Sequence, residues 1–247
     1  TLFEKIVARH LLSTDDAPGW LAPGEGGFVA ADLRFIHEYY TGMAAYGLER
    51  HFGDTLTLHD PATILCFEDH LSYVHRSPVH IKGKLVDGVR GLSVAHRNFV
   101  QRHGLKDHGY LLPYEAGDSR NAGSEGISHA LMAENYAMPG QLVAGTDSHT
   151  PHSGALGCLA FGVGTTDMAN AFVTGAVRFT MPQTLRIEIA GPLALGVCAK
   201  DVVLHLLADP AIRAGAGLGK VFEFGGAAVR SMSTDERATL TNMAAEL

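Results

Sequence analysis

Cysteine is scarce in this chain of 247 residues: Cys66, Cys158 and Cys198 are widely separated and odd in number, and no CxxC pair occurs. That excludes a disulfide framework and leaves no local thiolate cage for a metal. Long apolar runs are missing as well. Segments 62–67 and 156–163 fall far short of the ~20 residues of a membrane-spanning helix. Basic excess is absent, with 19 Lys and Arg against 26 Asp and Glu and a net charge of -7, the reverse of what nucleic acid selects. Neither nucleic acid nor a membrane is therefore expected as a partner. Residues 1–10 read as an amphipathic helix and not as a signal peptide, so a reducing, cytoplasmic setting is the expectation.

What is present is an apolar fraction of 46%, ample for a core, together with 29 glycines and 14 histidines. Several of the histidines sit beside acids, and many glycines sit beside Ser, Thr, Asp or His. The chain alternates strand-like and helix-like stretches. Helices are expected over 2–12, 38–52, 86–103, 127–134, 167–178 and 200–207, with another inside 153–163. Strands are expected at 28–35, 62–67, 110–112, 142–145, 184–190 and 220–224. Ser233 and Glu236 form a capping box for a last helix running towards Leu247. This alternation implies an α/β protein, helices layered on largely parallel sheets. A change of texture near Met181-Pro182 sets expected domains at 1–180 and 181–247, the second incomplete.

Chemistry collects where strands end. Asp69-His70 follows the strand at 62–67, and Asp147 and His149 follow the strand at 142–145. His129 opens a helix. Ligands of open α/β sheets gather at the carboxyl ends of strands, and a carboxylate beside an imidazole raises its proton affinity and fixes its tautomer. On extended chain Asp147 and His149 would point the same way. The bland alternative for each pair is a surface or capping feature, and a mononuclear metal site using the same His and Asp groups is the other. Gly162-Val-Gly164 lacks the third glycine of a dinucleotide fingerprint and follows an expected helix, which argues against nucleotide binding. Backbone N–H groups near Gly164-Thr165-Thr166 leave a packing or anion-binding role open.

Taken together these residues resemble the aconitase superfamily. The resemblance rests on Gly145-Thr-Asp-Ser-His-Thr150 followed by Gly154-Ala-Leu-Gly-Cys-Leu-Ala-Phe-Gly-Val-Gly164. In the same order come His37-Glu38 with Thr41, Asp69-His70, Gly126-Ile-Ser-His129 with Glu134 and Pro139-Gly140, and the segments 197–204 and 232–246. It covers essentially the whole chain and implies three-layer α/β/α domains. His-Glu at 37–38, where aconitases proper have glutamine first, resembles the isopropylmalate dehydratase large subunits.

The activity implied is reversible dehydration of a hydroxy di- or tricarboxylic acid, 3-isopropylmalate first, with aconitate, homoaconitate or dimethylmalate chemistry as alternatives. A [4Fe–4S] cluster would act as Lewis acid. Asp69, His70, Asp147 and His149 would protonate or orient the departing hydroxyl, with His129 in their network. Glu246 would bind the iron-bound water, and His37, Ser148 and Asn242 would lie at the substrate or cluster. The cluster's cysteine ligands are expected downstream of Leu247, so no metal ligand is expected in this chain. A small subunit or carboxy-terminal swivelling domain is the expected partner, and a cluster-less binding module is the competing reading.

Overall fold

The structure is a computed structural model that describes residues 1–12, 19–71, 74–109 and 126–247. The strand expected at 110–112 lies outside them. In chain order the elements are α1 (Leu2–His10), β1 (Leu11–Leu12), β2 (Gly26–Ala30), β3 (Leu33–His37), α2 (Glu38–Phe52), β4 (Ile64–Phe67), α3 (Pro78–Lys82), α4 (Val86–His103) and β5 (Lys106–His108). They continue with α5 (Ser128–Asn135), β6 (Leu142–Gly145), β7 (Leu159–Gly162), α6 (Thr165–Thr174), β8 (Ala176–Thr180), β9 (Thr184–Glu188), α7 (Ala199–Ala208), α8 (Pro210–Arg213), β10 (Val221–Gly225), α9 (Ala227–Ser231) and α10 (Thr234–Asn242).

A five-stranded, fully parallel sheet in the order β5-β4-β3-β6-β7 forms the centre. Its middle strand β3 is buried at every position, as is β4, because helices cover both faces. Alternate residues face alternate layers. Ile36, Ile64, Cys66, Leu142 and Ala144 pack with Ala44, Leu48, Phe99 and Phe172 of α2, α4 and α6. Leu33, Phe35, Leu65, Phe67 and Val143 pack instead against Met132 of α5. This is the expected α/β layering, with helices on both faces of the parallel sheet.

The chain enters at β3, steps outward through β4 and β5, then returns to β6 on the other side of β3. The strand order therefore reverses between β3 and β6, and a crevice opens there at the carboxyl ends of the strands.

Two smaller sheets lie outside this one. β2 pairs antiparallel with β1 and β8, and β9 runs parallel to β10 over Thr184–Glu188. The second has its own apolar cluster of Ala199, Val203, Met232, Leu240 and Leu247. The last helix begins with the expected reciprocal Ser233–Glu236 capping box, ends at Asn242 and gives way to a 3-10 turn over Met243–Glu246.

Three expectations need correction. The strand expected at 28–35 is two strands in different sheets, because Asp32 turns the chain between them. Its carboxylate accepts from the Leu142 amide at 2.7 Å and holds His10 at 2.7 Å, fixing the bend between the ladder that ends at Ala30 and the one that begins at Leu33. The helix expected within 153–163 is a 3-10 helix, Thr150–Leu156, followed by β7, which completes the parallel sheet. The helix expected to reach Arg178 stops at Thr174, where Gly175 adopts a left-handed conformation (φ 74°) and β8 begins. Gly162 and Gly164 thus lie between a strand and a helix after all.

Candidate active site

The crevice between β3 and β6 collects the acid–histidine pairs. Strand β6 runs apolar through the core and leaves it at Gly145, where a β-carbon would lie 2.3 Å from the Phe35 ring. No side chain fits at that point, so the chain turns immediately. Asp147 then closes an Asx turn: its Oδ1 accepts the His149 amide at 2.7 Å, and its carbonyl accepts the Thr150 hydroxyl at 2.6 Å. Asp147 and His149 are therefore not on extended chain, as expected, but on a tight turn. That turn still brings the two side chains to 3.6 Å.

Asp147 is the hub. Its Oδ2 lies 3.1 Å from His70 Nε2 and its Oδ1 lies 2.9 Å from His129 Nε2. The hydrogen bond from His129, then that from His70, hold its carboxyl far below the usual carboxylate range.

His70 is gripped from both sides, with Asp69 Oδ1 2.6 Å from its Nδ1. Two carboxylates on two ring nitrogens demand two N–H protons. The contacts to Asp147 and then Asp69 raise its pKa from 6.5 to about 10. Burial would raise the Asp69 carboxyl, but hydrogen bonds from His70 and from the Ser128 amide outweigh it and bring it to about 2. The Ser128 amide, 2.7 Å away at the start of α5, gives Asp69 a second duty as that helix's cap.

His149 forms a second arm. Its Nε2 lies 3.2 Å from Glu246 Oε1 and its Nδ1 lies 3.1 Å from Ser148 Oγ. Of the expected site residues, Asp69, His70, His129, Asp147, His149, Ser148 and Glu246 form one connected network. Asn242 reaches it indirectly, its amide donating to His152 Nδ1 at 3.3 Å.

His37, expected at the substrate or cluster edge, lies beneath this network, its Nε2 4.0 Å from Asp147 Oδ2. It ends the central strand, is 1% exposed, and sits beneath His70 with the two rings 3.9 Å apart and 13° from parallel. Burial, then the charge on His70, depress its pKa to about 4, so it is a neutral floor.

His152 was not singled out by the sequence reading. Its ring stacks on His129 at 6.0 Å, and burial, then His129, lower its pKa. The signal was available: residues three apart in a 3-10 turn eclipse one another, which places 149 and 152 on one side.

His37, His70 and Asp147 present three ligand-type atoms within 4.8 Å of one another, as do Glu38, Asp69 and His70. Neither trio suits an ion. His70 has both nitrogens committed to carboxylates. An ion midway between rings 3.9 Å apart would sit about 2 Å out of each ring plane, away from the lone pairs. The cysteines offer no alternative. Cys66 is buried in β4 with its thiol pushed well up by burial. Cys158 donates to the Met138 carbonyl at 3.1 Å and is raised to about 11, chiefly by burial. Cys198 is exposed at the cap of α7. An iron–sulfur cluster does not fit on the chain's own thiols.

Comparison with known proteins places this arrangement. The family model for the Aconitase family (aconitate hydratase) matches residues 114–247, more than half of the chain. The chain belongs to the aconitase family. It is 36% identical over 246 residues to the 3-isopropylmalate dehydratase large subunit of Elusimicrobium minutum, covering all of this chain and 51% of that protein. It is 34% identical over 250 residues to the 3-isopropylmalate dehydratase large subunit 1 of Methanopyrus kandleri, covering 100% and 52%. It is 32% identical over 248 residues to the methanogen homoaconitase large subunit of Methanocaldococcus jannaschii, covering 100% and 51%. The chain thus spans about half the length of the curated relatives it matches. Among the described residues no helix is long and apolar enough to cross a membrane.

Proposed function

We propose that this chain carries the proton-handling wall of a hydro-lyase acting on a hydroxy di- or tricarboxylic acid, 3-isopropylmalate being the favoured substrate. The observation that carries the reading is His70, with the Asp69 and Asp147 carboxylates at 2.6 and 3.1 Å from its two ring nitrogens, at the switch point of a parallel sheet.

Dehydration breaks a C–O bond and must supply a proton to the leaving hydroxyl. His70 Nε2–H is the proton at the mouth of the crevice, at present directed to Asp147. A substrate hydroxyl seated there receives it as the C–O bond breaks and leaves as water. A base from another part of the complete protein would take the proton from the neighbouring carbon, whose C–H electron pair forms the double bond. Asp69 stays on Nδ1 as counter-ion and sets the ring's orientation. In the reverse direction the same nitrogen takes the proton from water. Asp147 stays ionised throughout, and His129 and His149 hold it from two further sides. Ser148 and Glu246 orient His149, whose ring is the second group able to meet a polar oxygen. His37 supports the His70 ring from below, and Asn242 acts through His152.

The family resemblance assigns Lewis-acid polarisation of the substrate hydroxyl and carboxylate to a [4Fe–4S] cluster. With no thiolate cage among the described residues, the cluster's ligands would come from another part of the complete protein, and a small subunit or swivelling domain would close the site. Cytoplasmic location belongs to the same reading. So does the division into 1–180 and 181–247, supported by the separate sheet and apolar cluster of the second part.

The test uses the complete protein that contains this chain, prepared without oxygen and mixed with its partner subunit. Isopropylmalate, citrate, homocitrate and dimethylmalate are assayed side by side, and iron is counted. Turnover of isopropylmalate with about four irons per assembly is expected. Turnover by this chain alone without iron would overturn the reading, and preference for homocitrate would reassign the substrate.

A further inference from the structure

The two residues flanking His70 are each tied to a different element. On one side Asp69 accepts the Ser128 amide of α5. On the other, the Leu71 amide donates to Glu38 Oε1, the first residue of α2, at 2.6 Å. A glutamate in the first turn of a helix is ordinarily a solvated side chain complementing the helix dipole. Glu38 is not solvated: it is 0% exposed, and its second oxygen Oε2 has no hydrogen-bond partner among the described residues. One of its oxygens lies within 4.8 Å of both an Asp69 oxygen and a His70 nitrogen.

A buried carboxyl with one unpaired oxygen is costly to keep, more so as an anion beside the Asp69 carboxylate. Burial is the largest influence on Glu38 and moves its pKa upward, towards the neutral acid. What remains is a rigid acceptor, delivered by a helix whose register is set by His37 at the end of the central strand, and aimed at one backbone N–H.

We infer that Glu38 is a positioning residue: through the Leu71 amide it fixes the turn that holds His70 between Asp69 and Asp147. This rests on the proposed reading of His70 as the acid. Asp69 alone anchors the turn at one end only. Without the Leu71 anchor the backbone after His70 loses its hydrogen bond to α2, and the ring is left to the Asp69 and Asp147 contacts and the His37 stack to hold its alignment.

Three substitutions separate the contact from mere space-filling. In Glu38→Gln the amide oxygen still accepts the Leu71 N–H. Glu38→Met fills the same volume without an acceptor, and Glu38→Asp withdraws the acceptor by one methylene. Each is made in the complete protein, assayed for kcat and KM, and labelled with 15N-histidine so that the His70 ring is read at pH 8.

The Met and Asp variants are expected to lose about a hundredfold in kcat with little change in KM, the scale of a 1 Å misplacement. Both should lose the doubly protonated His70 signal. Gln should rescue both readouts to within about threefold of the parent. If Met does not fold, Asp carries the test. An Asp variant with parental kcat and parental His70 signal overturns the proposal, and so does a Gln variant that falls as far as Asp. Loss of the His70 signal with unchanged turnover upholds the positioning and sinks the reading of His70 as the acid.

Discussion

The rings of His37 and His70 stack 3.9 Å apart, yet their environments drive their proton affinities in opposite directions. His70 meets a carboxylate at each nitrogen within 3.1 Å, whereas His37 is buried and its Nε2 comes only to 4.0 Å from Asp147 Oδ2. A neutral ring beneath a cationic one satisfies both, and that division of labour has measurable consequences.

The first is a stability maximum in pH. His70 goes from 6.5 unfolded to about 10 folded, so its contribution is complete below 6.5 and is lost as pH rises through 10. His37 goes from 6.5 to about 4, so the unfolded chain takes up its proton first, and stability falls as pH drops from 6.5 towards 4. Melting temperature should peak near pH 6.5. Replacing His70 by Gln should flatten the alkaline limb and make the acid limb shallower, because His37 then loses the neighbouring charge that helps depress its pKa. A parental alkaline slope in that variant would show that His70 is not held protonated.

His149 faces the crevice on an arm anchored by Ser148 and Glu246 rather than in the core. His149→Ala should therefore lower turnover of the complete enzyme by about a hundredfold or more, in the range of a lost general acid or base. Its melting temperature should stay within a few degrees of the parent. Unchanged turnover would return His149 to a bland surface role.

Gly162 packs against the active-site turn, and a β-carbon there would meet the Asp147 carbonyl oxygen at 2.6 Å. Gly162→Ala should cost about 1–3 kcal/mol, as overpacking does. It should also reduce kcat, because the displaced group is the hub of the network. Denaturant unfolding and steady-state kinetics check the two effects separately, and parental values in both would remove Gly162 from the account.

Glu68 is 0% exposed and receives two hydrogen bonds from Arg97, at 3.0 and 3.1 Å. Arg97→Met strands that carboxylate and should cost about 3–5 kcal/mol near neutral pH. Burial already raises the Glu68 pKa, so the stranded group will take up a proton readily. The deficit should shrink as pH is lowered towards 5. A deficit independent of pH would mean that packing, not charge, is what Arg97 supplies.

The legible parts of the fold were those where local chemistry and tertiary demand agree. Glu38–Phe52, Val86–His103 and Leu142–Gly145 are read to the residue, and the Ser233–Glu236 cap is where its spacing puts it. The break at Asp32 was invisible because its cause, the Leu142 amide, is 110 residues away. Strand β5 was missed because Lys106-Asp107-His108 has no apolar pattern and is held by pairing with β4. In the site, the Asp-His motifs announced Asp69, His70, Asp147 and His149. Burial could not be read from them, so the depth of His37 beneath His70 and the contact of Glu38 with the Leu71 amide were not legible.

The His149–Glu246 contact joins residues 97 apart in sequence, and the hydroxyl of Thr241 in α10 donates to the His152 carbonyl across 89. Closing such long loops costs entropy before any contact rewards it, and such pairings form slowly. The His70 cradle also joins residues 77 apart, but it is set by β4 and β6 of one sheet, each paired to β3 between them. In refolding, the His70 environment should recover first and that of His149 last, followed by pulse-labelling at each turn. Simultaneous recovery would contradict this order. The chain would thus pass through a stage with a formed acid and an unfinished second arm, and α10 completes the site by docking on the 3-10 turn.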